Sequence, residues 1–435
     1  MFRSVQTEHQ RRQPLALTPE PRNPLALTRD TSCDLILRTI RAHQSLSRSD
    51  IALKSGLQKS TVSQIVEQLI SEGWIVEGAT PKTARGRRPT MLSFNENLAV
   101  MAVDLRSTQA TVAVVDLNSR ILALRTVPLA SEPQVAAHEI ADAIRCLQAR
   151  FVHKVFQGLG VSMSGRVNPE TQTVEYAPDL RWIGFDLKAT LGTASGLQVE
   201  LDHAANAILV SEAWLGSLHG VRDAIVLTIS EEIGAGILAH GLLVTGKQGL
   251  AGEFGHISID ANGPLCACGE RGCWNLYGSN TAALKEYAEL TAEAAPESYL
   301  ALLKRVASGD AHAVAAVESQ AEALGRGLRL LTASLAPELI VISGEIASLW
   351  SRLGKSIEQK LCAGTLAGRA PRLLADADAD LARLRGAAAL VIWRSSGHYH
   401  SLQTPANPEE RLKMRKRSGR NAFISSRSRE GAKQL

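Results

Sequence analysis

Three cysteines and one histidine within a single stretch are the residues best spaced for chemistry. His256, Cys266, Cys268 and Cys273 lie in "GHISIDANGPLCACGERGCWN", residues 255–275, with the spacing H-x9-C-x-C-x4-C. Thiolate sulfur and imidazole nitrogen suit tetrahedral Zn2+, and four protein ligands leave no position open to a substrate. The expected metal is therefore structural. Gly263, Pro264, Gly269 and Gly272 supply the turns that gather the thiolates. The plainer alternative, three reduced surface thiols beside an unrelated histidine, does not explain so dense a set of turn residues. Cys33, Cys146 and Cys362 are scattered, unlike a secreted disulfide framework.

The chain that positions this loop has 435 residues, enough for two or three domains, with 45% hydrophobic and 21% charged residues as in ordinary globular proteins. No run of eighteen apolar residues is present, so no membrane partner is expected. "MFRSVQTEHQRRQP" at the start lacks the apolar core of an export signal, which implies a cytoplasmic protein. Residues 1–100 carry 14 Lys/Arg against 9 Asp/Glu and residues 401–435 carry 9 against 3, leaving 25 against 31 between them. Basic ends on an acidic body direct any polyanion to the ends. Residues 1–30, with "PLALT" at Pro14 and again at Pro24, read as a mobile leader, and 399–435 as a basic disordered tail.

Between them, "VMAVDLRSTQATVAVVDLNSRILAL" (100–124) and "AIVLTISEEIGAGILAHGLLVTG" (224–246) share one pattern of buried strand, short turn and further strands. Helical stretches follow each, at 135–151 and 311–334. Two α/β lobes with a cleft between them are expected over residues 95–398.

Residues 31–94 read differently. Ser47 is placed to cap a short helix holding Ile51, Ala52 and Leu53, Gly56 breaks it, and a second helix begins near Ser60. Val62, Ile65, Val66, Leu69 and Ile70 make one apolar stripe, while Lys59, Ser60, Thr61, Ser63 and Gln64 crowd its start and open face. That is the order of a helix-turn-helix for the major groove. Two short strands then flank Arg85, Arg87 and Arg88, the cationic tip of a wing aimed at phosphates or a narrow minor groove. DNA is the expected partner, contacted by Ser47 and these residues. An amphipathic helix pair for protein contact is the competing reading.

"AGEFGHISID…GPLCACGERGC" resembles the ROK family of repressors and sugar kinases, and the resemblance extends over about residues 34–398. It implies an actin-like, ribonuclease H-like two-lobed sugar-kinase fold, preceded in the repressors by a winged helix-turn-helix. It also implies that the zinc loop positions His256, which with Glu253 reaches sugar hydroxyls in the cleft. Ser164, Gly165, Asp179 and His203 fall at further ligand-contact positions.

The family's kinase motifs are altered. Its D-x-G-G-T-K-like phosphate loop reads "DLRSTQ" here, with Arg106 and Ser107 for glycines and Gln109 for the cation. Its "E-N-D-A-N-A" stretch reads "DHAANA", which puts Ala204 at the position of the catalytic Asp and His203 at that of the sugar-binding Asn. A one-residue gap would restore Asp202, but Ala205-Asn206-Ala207 and Glu212 keep the register. Glu231 and Glu232 enter the second phosphate loop, a single glycine, Gly344, remains of a later Gly-Gly pair, and Asn275 replaces a usual Glu. No catalytic residue is therefore assigned. The expected function is a DNA-binding regulator of carbohydrate metabolism, a repressor working as a homodimer or homotetramer with a sugar or sugar-phosphate effector. A sugar kinase with an accessory head and a ligand-independent DNA-binding oligomer are the alternatives.

Overall fold

The computed structural model describes residues 24–78, 89–177, 180, 182, 184–215, 218, 220–363, 370–376 and 378–395. The head comprises α1 (Pro24–His43), β1 (Leu46–Ser47), α2 (Arg48–Ser55), α3 (Lys59–Ser71), β2 (Ile75–Gly78) and β3 (Met91–Phe94). Helix α1 starts inside the stretch expected to be a leader. Proline costs no hydrogen bond in a first turn, and Leu25-Ala26-Leu27 favour helix, so the second "PLALT" joins the periodic run that follows. Helix α2 ends at Gly56, whose φ of 70° belongs to the left-handed region. Ile36, Ile40, Ile51, Val62, Val66 and Leu69 bury one face of each helix against Ile75, Leu92 and Phe94 of the small antiparallel sheet β1-β3-β2.

The first lobe contains β4 (Leu98–Leu105), β5 (Gln109–Asp116), β6 (Ile121–Pro128), α4 (Pro133–Arg150), β7 (Val155–Met163), β8 (Arg166–Val167), β9 (Val174–Tyr176), α5 (Leu187–Ser195), β10 (Val199–His203) and α6 (Ala204–Leu215). The second contains β11 (Ala224–Ile229), β12 (Ile233–Ala239), β13 (Leu242–Val244), α7 (Asn275–Gly278), α8 (Asn280–Thr291), α9 (Tyr299–Ala307), α10 (Ala311–Leu335), β14 (Leu339–Ser343), α11 (Trp350–Cys362), β15 (Arg372–Ala375) and α12 (Ala379–Ser395).

The sheets have orders β10-β7-β4-β5-β6 and β13-β12-β11-β14-β15. In each, three antiparallel strands are extended by two strands parallel to the first, so the internal likeness read from the sequence is a shared topology. Helices α6 and α12 pack on each other between the sheets, α6 against β11 and β12, and α12 against β4 and β7. Glycine makes this possible: a Cβ on Gly160 would lie 1.8 Å from the Ala387 carbonyl oxygen, and one on Gly386 2.7 Å from the Ala207 carbonyl carbon. Among the described residues no helix is long and apolar enough to cross a membrane.

Candidate functional site

The strand ends of both lobes converge on one cleft. Ser164 and Gly165 follow β7, His203 and Ala204 stand at the β10–α6 junction, and Glu253, His256 and Asn275 close it from the second lobe. The cavity measures about 40 Å3. Gly165 has a φ of 107°, and a Cβ there would lie 2.6 Å from the Tyr176 carbonyl oxygen, so this turn requires glycine. Asp179, expected as a ligand contact, lies outside the described residues, as do Arg85, Arg87 and Arg88.

At the β10–α6 junction the Ala205 N–H donates to His203 Nδ1 at 3.3 Å, which makes the neutral ring a donor through Nε2. Burial, then the nearby Arg383, pulls the His203 pKa down to about 4. Ala204 lines the cleft with a methyl group. Asp202 does not take its place: its Oδ1 accepts from its neighbour's N–H, that of His203, at 2.7 Å and from Asn206 Nδ2 at 2.9 Å, and the residue is 4% exposed. This carboxylate organises the start of α6.

The turn after β4 is filled by charge. Arg106 Nε meets Asp104 Oδ2 at 2.9 Å, and its Nη1 reaches across to Glu345 Oε1, after β14, at 3.2 Å. Arg383 Nε meets the other Asp104 oxygen at 2.5 Å, and Asn280 Nδ2 donates to Glu345 Oε2 at 2.9 Å. Burial works against the Arg106 charge, but Asp104, Glu345 and Glu231 together outweigh it and hold its pKa above the ordinary value. The space beside this network, bordered by Ser230 and Gly344, is about 20 Å3. Arg383 also donates to Ser164 Oγ and the Leu105 carbonyl. Sequence reading missed Arg383; its one signal is an arginine among the buried small and apolar residues of α12.

The four expected metal ligands come together. One donor atom each from His256, Cys266, Cys268 and Cys273 lies within 4.8 Å of every other. Cys266 Sγ is 3.6 Å from His256 Nδ1, and the Cys268 and Cys273 sulfurs are 3.5 Å apart. A tetrahedral zinc with bonds of about 2.3 Å separates its sulfurs by roughly 3.8 Å, so the donor set fits. The Glu270 N–H, with the other cluster members, draws the Cys268 pKa down to about 7, while burial pushes that of Cys273 up to about 12. Trp274, between Cys273 and Asn275, ties the loop to the lobe: it is 1% exposed and its Nε1 donates to the Ala323 carbonyl at 2.9 Å. Asn275 Oδ1 accepts from the Ile233 N–H at 2.7 Å, so the residue read as an altered sugar contact also pins the loop to β12.

In the head, Lys59, Ser60 and Gln64 are exposed on the first turns of α3, with Thr61 and Ser63 half-buried beside them. The N-terminus of α3 has no side-chain cap. Ser47 departs from the expected DNA contact. It is 4% exposed, its Oγ accepts the Asp50 N–H, and Asp50 Oδ2 accepts the Ser47 N–H at 3.0 Å, a reciprocal capping box that commits the hydroxyl to folding α2.

The ROK family profile matches residues 100–394 and the MarR family profile residues 35–78. The chain belongs to the ROK family. A xylose repressor of Bacillus spizizenii is 29% identical over 316 residues, covering 72% of this chain and 81% of that protein. The solved structure of a ROK family transcriptional regulator, a homologue of the E. coli MLC protein, superposes with a TM-score of 0.72 at 23% identity over 86% of this chain and 98% of that one. A ROK family glucokinase from Streptomyces griseus, solved with glucose and AMPPNP, gives 0.61 at 27% identity over 67% and 98%. The regulator shares head and body in one architecture, whereas the ROK kinase matches a smaller share of the chain.

Proposed function

We propose that this ROK protein is a cytoplasmic DNA-binding transcriptional repressor of carbohydrate metabolism, controlled by a sugar or sugar phosphate in the interlobe cleft, and not a working sugar kinase. The observation that carries the choice is Ala204, a methyl on the cleft wall where a kinase needs a carboxylate to take the hydroxyl proton. The Asp104–Arg106–Glu345 bridge supports it by occupying the turn at which a nucleotide phosphate would be cradled. The repressor relative and the MarR-like segment support the DNA-binding half of the reading.

The exposed first turns of α3 enter the major groove, with Lys59 and the uncapped helix N-terminus on phosphate and Gln64 on a base edge. His256, Cys266, Cys268 and Cys273 would hold zinc, which with four protein ligands would supply folding energy and not reactivity. His256 Nδ1, the nitrogen beside Cys266 Sγ, would face the metal, which leaves Nε2 for a sugar hydroxyl beside Glu253 and the Nε2–H of His203. Ser164 and Gly165 border the same space.

A cleft of about 40 Å3 is far below the ~300 Å3 of ordinary ligand pockets, so a sugar enters only with movement of the lobes. That movement changes the spacing of two heads in a homodimer or homotetramer. It requires the effector to bind the two conformations with different affinity. Binding isotherms on the protein's own promoter across a panel of sugars and sugar phosphates test the reading. One member is expected to shift operator affinity, with no ADP release from ATP and any sugar. Robust turnover overturns it, and an operator affinity that no panel member shifts removes the effector.

A further inference from the structure

The head and the first lobe border a second, open cavity of about 550 Å3, within the ~300–1,000 Å3 range of small-molecule sites. Its wall combines α1 and the turn after it, the end of α2, the β5–β6 turn and the end of α6. Arg38, Arg41, His43, Lys54 and Arg120 face it, and among the described residues that line it there is no Asp or Glu. Carboxylates do stand behind the wall: Asp116 and Glu212 act on Arg41, and Asp50 on Lys54. Burial, then repulsion from Arg385, draws the Arg41 pKa down to about 10 despite both acids.

The cavity also lies at a contact between head and body. Arg41 Nη1 donates to the Trp214 carbonyl at 3.2 Å, so the cavity sits on a direct hydrogen bond between head and body.

We propose that this junction binds a small phosphorylated metabolite, whose oxygens accept from the arginines and Lys54. A phosphate dianion offers three acceptor oxygens and nearly two charges, which matches several cations on one wall better than a lone carboxylate. Walls on both head and body around a space of this volume suit a small molecule better than the outside of a duplex. The ligand ties α1 and α2 to α6 and so sets how the head is carried. By linkage, it and DNA change one another's affinity by the same factor. The proposal does not rest on an effector in the interlobe cleft.

Calorimetric titration of the full-length protein at low salt tests it, with pyrophosphate as the probe and glucose as the uncharged control. Lys54 and Arg120 are exposed, so Lys54→Gln and Arg120→Gln are expected to leave the melting temperature unchanged. Pyrophosphate is expected to bind the wild type at one site per chain and the double variant at least about tenfold more weakly. His203→Ala, in the other cleft, should leave that affinity as it was. No binding of pyrophosphate at millimolar concentration overturns the proposal. So does binding that survives in the double variant and is lost in His203→Ala, since the probe then occupies the interlobe cleft. A double variant that loses affinity only for duplex DNA also overturns it, because the cations are then a phosphate-backbone contact.

Discussion

The Arg106–Glu345 pair ties the lobes together, and a double-mutant cycle measures how strongly. Arg106→Gln and Glu345→Gln, singly and together, remove the charges while keeping much of the side-chain volume. At the 3.2 Å separation Coulomb's law gives about 5 kcal/mol for an effective dielectric of ~20 and about 1.3 kcal/mol in bulk water. The side chains are 22% and 15% exposed, between those limits, and desolvation opposes the gain. Each partner also keeps a second contact in the single variants, Asp104 for Arg106 and Asn280 for Glu345. The expected coupling is therefore about 1–2 kcal/mol. Urea unfolding of the four proteins measures the coupling in stability. The same energy, expressed between open and closed lobes, changes their ratio by about 5- to 30-fold and should appear as a larger radius of gyration in X-ray scattering of the single variants. A coupling below about 0.3 kcal/mol, the scatter expected of independent sites, would refute the idea that this pair bridges the lobes.

Metal analysis of purified protein should find one zinc per chain, and stripping it with a chelator should lower the melting temperature and weaken any cleft ligand, because His256 loses its anchor. His203 makes stability pH-dependent: its folded pKa of about 4 lies below the ordinary 6.5, so the contribution is complete above pH 6.5 and is lost as pH falls toward 4. Integrated over that window it reaches about 3 kcal/mol, and urea titrations from pH 7 to 4 should show His203→Gln removing that part of the slope. Ser47→Ala should cost about 1 kcal/mol in chemical unfolding through loss of the α2 cap. Lys59→Gln should reduce the salt slope of operator binding by about 1 with little change in sequence preference, whereas Gln64→Ala should relax that preference at one base pair.

Much of this protein is written locally. The cap, turn and stripe of residues 47–70 depend on neighbours within a few positions, so the helix-turn-helix was legible from spacing and glycine placement. The metal loop is equally local, its four donors falling within eighteen residues, from His256 to Cys273. The paired hairpins followed from hydrophobic runs, and Ala204 from the register of a short motif.

Other features depend on contacts between residues far apart in the chain. Arg106 reads in the sequence as a misplaced side chain in a phosphate loop, and only folding brings it to Glu345 and brings Arg383 onto the same carboxylate. Asn275 reads as a lost sugar contact until its side chain is found on the backbone of β12, and Ser47 as a DNA contact until burial and the capping box claim it. The cation-lined junction is likewise assembled from four separate parts of the chain. Helix caps and metal loops satisfy their polar groups nearby and so announce themselves in spacing. A buried charge has to find its counter-charge wherever packing delivers it, and that is decided only when the lobes and the head come together.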